Sequence, residues 1–393
     1  RNQIDSVKVV DLSLSLIPDA GLRLSIDADL GVVTAPSTSK VVRLSILADL
    51  QVERNPEGNL ELSTTACKPT MEETQSTEEA ERAVQLRGTA GAAARPVPPG
   101  SAAASLAALL PVPQICVEVS RLLILPNEQL ASLTAQFPVT PSCQVRYVPL
   151  AAPVISEQGV TVSLQTTFVV AGVALPLPAS PTPFTMPESA SAAHLTLALS
   201  THFYTSFFFA LETVGAFNMT LMRRSRHGAP LTTVPPQMGS LFQEDRPVLL
   251  RVAFRSSPWV VLEEGSAALK LFLTAHVGVG SPDFQSILSM NVDMSAGLLL
   301  SVADVRMMVS AAAIEDMELS LAASDVGPVP AALLEELFVP ALRDGVLARM
   351  NEVLSEGIYL PHASNFVYTD ASVVIHKDYV LIPCNLRLQP RSG

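Results

Sequence analysis

The stretch LSEGIYLPHASNF, residues 354–366, decides how the end of the chain is interpreted. Before it, residues 330–356 carry apolar side chains along one broad helical stripe, which predicts a long amphipathic helix. After it, residues 368–388 alternate in the manner of two strands. Gly357 can serve as the helix C-cap because glycine tolerates the left-handed conformation, and Pro361 prevents the helix from continuing. The stretch therefore predicts a sharp change from helix to strand.

The composition is apolar for a soluble protein, since 48% of the 393 residues are hydrophobic and 16% are charged. The longest uncharged run, residues 158–187, is interrupted by Gln165 and several prolines. A membrane span needs about 20 consecutive apolar residues, so no transmembrane segment is predicted. The net charge of −12 argues against binding of nucleic acid through bulk electrostatics. The chain starts without Met or a leader, so we expect a removed signal peptide or an N-terminal portion outside this sequence.

The four cysteines lie far apart and form no CxxC pair. Metal binding is therefore not expected, and one or two disulfides in a secreted protein are predicted. Asn218 begins an Asn-Met-Thr triplet, which is an acceptor for N-glycosylation.

Residues 10–62 alternate between apolar and polar side chains over several long segments separated by turns. This pattern predicts an antiparallel meander with one apolar and one wet face, and it places Val10 with Leu12, Leu14 and Leu16 on the apolar face. Residues 68–100 are first acidic and then rich in Ala, Gly and Pro, which predicts a loop. Residues 115–133 have helical spacing, with a kink or a second helix at Pro126.

The second half of the chain also predicts long strands and helices, in a different order. Residues 194–217 fit a helix with a Phe-rich face, and strands are predicted at 217–223, 247–254, 259–263, 268–277, 284–294, 297–309 and 315–322. A strand is also predicted at 159–170, before a Pro-rich connector at 169–188. We therefore expect an N-terminal domain at 1–168, a C-terminal domain at 189–393 and an α+β fold.

Motifs of catalysis are missing from the sequence, which has no GxSxG, no HExxH and no glycine loop for phosphate. The six histidines are scattered, so neither an enzyme nor a bound cofactor or metal is expected. Arg223, Arg224 and Arg226 form a basic cluster between two predicted strands. Such a cluster either receives phosphate head groups or is a solvated turn.

The opening stretch, followed by a strand through Tyr379-Val-Leu-Ile, resembles the C-terminus of the bactericidal/permeability-increasing protein family. This family includes lipopolysaccharide-binding, cholesteryl ester transfer and long PLUNC-type proteins. His202-Phe-Tyr-Thr-Ser-Phe resembles the opening of the family's second half. The resemblance implies an elongated boomerang of two barrel-like domains, each of long twisted antiparallel sheets wrapped on long helices, joined by a central sheet, with apolar pockets for lipid acyl chains.

The resemblance also implies site residues. Cys67 and Cys116 are similar in position to the family's N-domain disulfide, whereas Cys143 and Cys384 form a second bridge or are two free thiols. The apolar faces that help to wall the family's pockets imply lipid-binding candidates on the predicted sheet and helices, unless they are ordinary core: Leu24, Ile26, Leu44, Ile46, Phe203, Phe207, Phe208, Leu211, Leu333, Leu337, Val346 and Met350.

The sequence departs from the family pattern in that it begins inside the expected N-terminal domain and is acidic after Cys67, where lipopolysaccharide-binding relatives carry lysines. The implied function is a secreted, non-catalytic protein that holds phospholipid or fatty acid in apolar pockets and serves innate defence. The alternatives are a direct antibacterial or lipopolysaccharide-binding protein, and a scaffold whose pockets are filled by side chains.

Overall fold

The computed structural model describes residues 3–34, 38–74, 112–176, 186, 192–223, 248–280 and 283–389. The chain divides into two compact units. The N-terminal unit combines residues 1–134 with 148–165, and the C-terminal unit combines residues 135–147 with 166–393. Each unit contains a long antiparallel sheet with helices on its apolar face, which agrees with the predicted α+β class.

The N-terminal unit is built on the predicted meander. Its four strands pair in chain order and are β1 (Gln3–Ile17), β2 (Gly21–Thr34), β3 (Thr38–Arg54) and β4 (Leu60–Thr74). Residues 68–74, predicted as the start of a loop, instead extend β4, because their backbone pairs with β3. The remainder of the predicted loop, residues 75–100, lies outside the described residues.

The wet face of the meander carries cross-strand ion pairs. Arg23 and Asp49 are opposite one another on β2 and β3, with Nε and Oδ1 2.7 Å apart. Arg43 and Asp29 repeat the arrangement at 2.9 Å. Each pair is bidentate, a geometry that fits the observed register of β2 on β3.

Two short helices, α1 (Val112–Leu122) and α2 (Ile124–Ser132), cover the apolar face of this sheet. The predicted interruption is confirmed, since the chain breaks at Leu123 and Pro126 lies in the first turn of α2, where proline is tolerated. The Asn127 side chain ties α2 to β4. Its amide accepts from the Leu62 N–H at 2.7 Å and donates to the Leu62 carbonyl at 3.0 Å.

The segment between the two long sheets forms short strands. They are β5 (Gln136–Thr140), β6 (Cys143–Pro149), β7 (Val154–Ile155), β8 (Val160–Thr161), β9 (Leu164–Val170) and β10 (Val173–Ala174). The single strand predicted at 159–170 is thus two strands, and they belong to different sheets, β7-β8 and β10-β9-β6-β5. The limits of the predicted domains remain a prediction, and residues 177–185 and 187–188 of the connector predicted at 169–188 lie outside the described residues.

The C-terminal unit begins with β11 (Leu195–Ser200) and continues into α3 (Thr201–Thr213). The prediction of a helix from residue 194 was wrong for residues 195–200, which form β11. Leu195, Leu197 and Leu199 alternate, and the backbone of this segment pairs with a C-terminal strand, so long-range pairing prevails over the helical spacing of the apolar residues.

The main sheet of the C-terminal unit has six strands in chain order. They are β12 (Met219–Arg223), β13 (Val248–Glu263), β14 (Ser266–Val279), β15 (Gln285–Ala303), β16 (Arg306–Ser324) and β17 (Ile358–Tyr359). The strands predicted at 284–294 and 297–309 are one strand followed by a hairpin turn at Asp304. Gly297 does not break β15; a Cβ there would lie 2.7 Å from Oε1 of Glu315.

The predicted long helix is α4 (Ala331–Leu354), which packs on β16 and β12. Gly357 ends it as expected, with φ of +64° and its N–H donating to the Leu354 carbonyl at 3.0 Å. Ile358 and Tyr359 then pair with β16, so the stretch quoted above turns a helix directly into the edge strand of the sheet. The Tyr147 hydroxyl donates to the Tyr359 carbonyl at 2.5 Å and supports this turn.

The chain closes with a second sheet in the C-terminal unit. Its further strands are β18 (Phe366–Thr369), β19 (Val374–His376) and β20 (Tyr379–Leu388). β20 lies between β11 and β18 and also pairs with β19. The last strands of the chain therefore hold the beginning of the C-terminal unit in place through β11.

Candidate functional site

The apolar face of the β1–β4 sheet forms continuous rows that run across the strands. One row joins Leu14, Leu24, Ala48 and Cys67 through the strand register. Cys67 continues the row onto α1 through its disulfide to Cys116. Helix α1 therefore stands on the same face, against β4, and its residues Ile115 and Val119 join the core there together with Leu123, which follows the helix.

On β1 the same face is open. Five apolar side chains of β1 lie opposite buried or half-buried residues of β2 but are 39–64% exposed themselves: Ile4, Val7, Val9, Leu12 and Leu14. We call this set the β1 apolar row. Exposed apolar side chains are common singly, but a contiguous row beside a core marks a surface that binds something apolar.

The sequence prediction missed part of this row. A bulge between Val9 and Asp11 removes Val10 from the ladder and reverses the faces before it, so Val7 and Val9 join Leu12 and Leu14. Val10, predicted on the apolar face, is therefore not part of it. The doubled valine at 9–10 breaks the strict alternation and was the available signal.

The four pocket candidates predicted on this sheet share the apolar face. Leu24 and Ile26 on β2 are half-buried and lie opposite Leu14 and Leu12 of the β1 apolar row. Leu44 and Ile46 on β3 are buried nearer the helices. The structure thus brings these candidates together between an open edge and a helix-covered one. Their contact with lipid remains a prediction.

The candidates of the C-terminal unit lie in its core. All four candidates on α3 are buried: Phe203, Phe207, Phe208 and Leu211. The ring centroids of Phe207 and Phe168 lie 6.2 Å apart. On α4, three of the four predicted residues, Leu333, Val346 and Met350, are also buried, whereas Leu337 is half-buried. Their role as pocket walls remains a prediction.

Among the described residues of the C-terminal unit, Oγ1 of Thr140 and the carboxylate oxygen Oε2 of Glu212 are buried without a hydrogen-bond partner. Among the described residues, the buried Tyr204 hydroxyl has no hydrogen-bond partner, and burial raises the pKa of Tyr204 well above its ordinary value. Ser206 lies 3.3 Å from Nε2 of His202, and desolvation lowers the pKa of that imidazole. The neutral Tyr204 and His202 side chains suit an apolar interior.

The predicted disulfide between Cys67 and Cys116 is present, with Cα atoms 5.9 Å apart. It borders a shallow cleft of about 340 Å³ that the hydroxyls of Thr64, Thr65 and Ser120 also line. The alternative of a second bridge is corrected here, since Cys143 and Cys384 are free thiols buried in strands of different sheets. Burial raises the pKa of each thiol to about 11, so both stay protonated and unreactive at neutral pH.

The remaining predicted sites are the glycosylation acceptor and the basic cluster, and the described residues include only part of them. Asn218 is exposed just before β12, a position that an N-glycan can occupy. Arg223 ends β12, whereas Arg224 and Arg226 lie outside the described residues. Within the described ranges, no three His, Cys, Asp or Glu side chains gather as metal ligands. Within the same ranges, no helix has the length and apolar character needed to cross a membrane.

The family model for the C-terminal domain of the LBP/BPI/CETP family matches residues 140–388. The chain belongs to this family. Protein TENP of Gallus gallus is 55% identical over 390 residues, which cover 98% of this chain and 84% of that protein. BPI fold-containing family B member 2 of Homo sapiens is 26% identical over 286 residues, or 70% of this chain and 62% of that protein. The family predicted from the opening stretch is thereby confirmed.

A solved structure supports the same fold. The crystal structure of lipopolysaccharide binding protein matches with a TM-score of 0.54 and covers 99% of this chain and 88% of that chain, at 16% sequence identity. At this identity the likeness establishes the fold alone. Membership places the chain among lipid-binding proteins that are generally not enzymes.

Proposed function

We propose that this chain is a secreted, non-catalytic lipid-binding protein that holds acyl chains against the apolar face of the β1–β4 sheet. The single observation that carries the proposal is the β1 apolar row, whose five side chains are 39–64% exposed and continue the core face of the sheet. Membership in the LBP/BPI/CETP family supports the same ligand class.

The physics of the site favours hydrocarbon over a polar ligand. The β1 apolar row is lined by Leu, Ile and Val alone, and its facing residues on β2, such as Leu24 and Ile26, are equally apolar. Moving an acyl chain from water onto such a surface gains about 0.8 kcal/mol per buried CH₂ group. Phospholipid and fatty acid both supply such chains, and a head group would remain in water.

We further propose a role in innate host defence, as the family suggests. Direct lipopolysaccharide binding is the second candidate, because one structural relative is named for that ligand. The charge balance disfavours it here, since the chain carries 37 acidic against 25 basic residues and anionic phosphates would be repelled at long range. The third candidate, a scaffold with filled pockets, is favoured in the C-terminal unit by the complete burial of Phe208, Leu334 and Phe338.

The test begins with mass spectrometry of the secreted protein, first native and then after organic extraction. We expect co-purifying phospholipid or fatty acid. A double variant, Leu12→Gln with Leu14→Gln, should lose most of this lipid because it makes the row polar. The matched control is Leu47→Gln, which alters an exposed leucine on the opposite face of the same sheet and should retain the lipid.

Three results would separate the alternatives. Lipid-free protein that also fails to take up added phospholipid would reject the proposal. Salt-sensitive retention on immobilised lipopolysaccharide, with no acyl-chain binding by other lipids, would favour the endotoxin candidate. A double variant that unfolds while the control does not would show that protein rather than lipid covers the row.

A further inference from the structure

The outer face of the six-stranded sheet carries an unusual aromatic and charged surface. Trp259, the chain's single tryptophan, is 51% exposed on β13, and its ring centroid lies 5.0 Å from that of Phe272 on β14. Cζ of Arg255 lies 5.9 Å from the centroid of the same Phe272 ring. Large aromatic side chains that stay exposed beside a fixed cation are typical of surfaces that bind a partner.

The strand register arranges the charges of this face by sign. One cross-strand row runs through Phe272, Asp293 and Glu318, with Arg255 beside its β13 end. The next row runs Trp259, Lys270, Ser295 and Asp316. In and beside these two rows, basic side chains therefore lie on β13 and β14, whereas acidic ones lie on β15 and β16.

Contacts within the sheet hold part of this pattern in place. Arg255 forms an ion pair with Asp293, and Nζ of Lys270 donates to Oγ of the buried Ser295 at 3.0 Å. Asp316 and Glu318 are exposed, and neither forms an ion pair with another of the described residues. The acidic half of the face is thus available to an external cation.

We propose that this outer face binds the same face of a second copy of the chain. A two-fold axis parallel to the strands, midway between β14 and β15, lays β13 of one copy over β16 of the other. The pairing brings Arg255 to Glu318 of the second copy and Lys270 within reach of Asp316 of the second copy. Each Trp259 ring then covers the acidic edge of the other sheet, and every contact occurs twice.

Both halves of the face are used in this arrangement, which is why a second copy fits better than an anionic lipid surface. Lipid phosphates would be attracted by Lys270 but repelled by Asp316 and Glu318 on the same plane. The four strands span roughly 19 Å, and a segment about 30 Å long gives on the order of 600 Å² per copy. Interfaces of this size are weak and reversible, so we expect a concentration-dependent dimer.

Sedimentation velocity of the full chain at physiological salt measures this equilibrium. The mass should rise from the 41.7 kDa monomer toward twice that value as concentration increases. Lys270→Glu and Asp316→Lys should each weaken association at least about tenfold, because each places like charges together across the axis. An equimolar mixture of the two variants should associate again, since both cross-axis pairs then become opposite in sign.

The control Lys8→Glu makes the same change in net charge as Lys270→Glu, but on the N-terminal unit, and should leave association unchanged. Near-ultraviolet circular dichroism checks that each variant is folded. Monomers at all concentrations, single variants that associate like the parent, or a mixture that stays monomeric would each overturn the proposal. So would a monomer whose Trp259 fluorescence shifts to the blue only on vesicles of anionic phospholipid, which would assign the face to a lipid surface.

Discussion

The two long sheets hold their helices by different means. On the β1–β4 sheet, the helices contribute little core: α1 and the residue that follows it bury Ile115, Val119 and Leu123, and α2 has no buried residue. On the six-stranded sheet, α4 buries seven side chains: Leu333, Leu334, Phe338, Leu342, Val346, Met350 and Leu354. The disulfide is found on the first sheet, where burial by the helices is small.

One device is common to both sheets. Asn127 of α2 spans the N–H and carbonyl of Leu62 on β4, and Asn351 of α4 spans those of Ala311 on β16, at 2.8 and 3.1 Å. In each case a helix amide satisfies the backbone of the neighbouring strand. Both units thus share the hydrogen bonds from a helix asparagine to a strand backbone. Otherwise the helices are held mainly by a disulfide in the N-terminal unit and by apolar burial in the C-terminal unit.

Phe338→Ala should produce the largest change. The side chain is fully buried beneath α4, so its truncation should lower the free energy of unfolding of the C-terminal unit by about 3–5 kcal/mol. Trp259 fluorescence during denaturant titration reports this unit alone. Glu336→Ala, two residues away on the exposed side of the same helix, should leave the midpoint in place. Equal effects of the two substitutions would contradict the apolar attachment of α4.

Replacing both Cys67 and Cys116 by serine should come next. Loss of a cross-link that spans 49 residues should destabilise the N-terminal unit by about 2–5 kcal/mol. Far-ultraviolet circular dichroism, which follows both units, should show an earlier transition while the Trp259 fluorescence transition stays unchanged. A fluorescence transition that moves as far as the dichroism one would show that the units do not differ in this way.

The shared asparagines should give smaller and similar losses. Asn127→Ala and Asn351→Ala each leave one strand N–H without its partner, which should cost about 1–2 kcal/mol. Asn351→Ala should shift the Trp259 transition, and Asn127→Ala should shift only the dichroism. As a graded control, Asn351→Asp retains the acceptor for the Ala311 N–H but loses the donor, so its loss should be intermediate.

Acid titration should give the smallest effect. The hydrogen bond from Arg43 lowers the pKa of Asp29 below its ordinary value. The pair therefore stabilises the folded N-terminal unit above about pH 4 and loses this contribution as the pH falls through the depressed pKa. Arg43→Gln should reduce stability at pH 7 and make no difference at about pH 2. Parallel stability curves for the two proteins, measured by dichroism, would contradict this assignment.

Much of the fold follows from local patterns. Strict alternation located β2 and β3, and Gly357 with Pro361 located the end of α4, because these signals depend on backbone geometry near the residues themselves. The errors arose where distant contacts decide. β11 is a strand because β20 pairs with it, and Gly297 continues β15 because its backbone pairs with Ala268 of β14 and Ala313 of β16.

The site was less predictable than the fold. The apolar faces of both units could be identified from spacing, but spacing does not distinguish a filled core from an open row. Leu12 and Leu44 have the same pattern in the sequence, yet Leu12 is 64% exposed and Leu44 is buried. The difference arises from the position of β1 at the edge of the sheet, which depends on the whole set of strand pairings.

The two buried thiols can report how often the sheets of the C-terminal unit open. Cys143 and Cys384 are inaccessible to alkylating reagents while their strands stay closed, so each modification records one opening event of its sheet. Peptide mapping of the added mass over time assigns each event to Cys143 or Cys384 and so gives an opening rate for each sheet. Burial also keeps both thiols from attacking the Cys67–Cys116 disulfide. The folded protein therefore retains one disulfide and two free thiols in an oxidising medium.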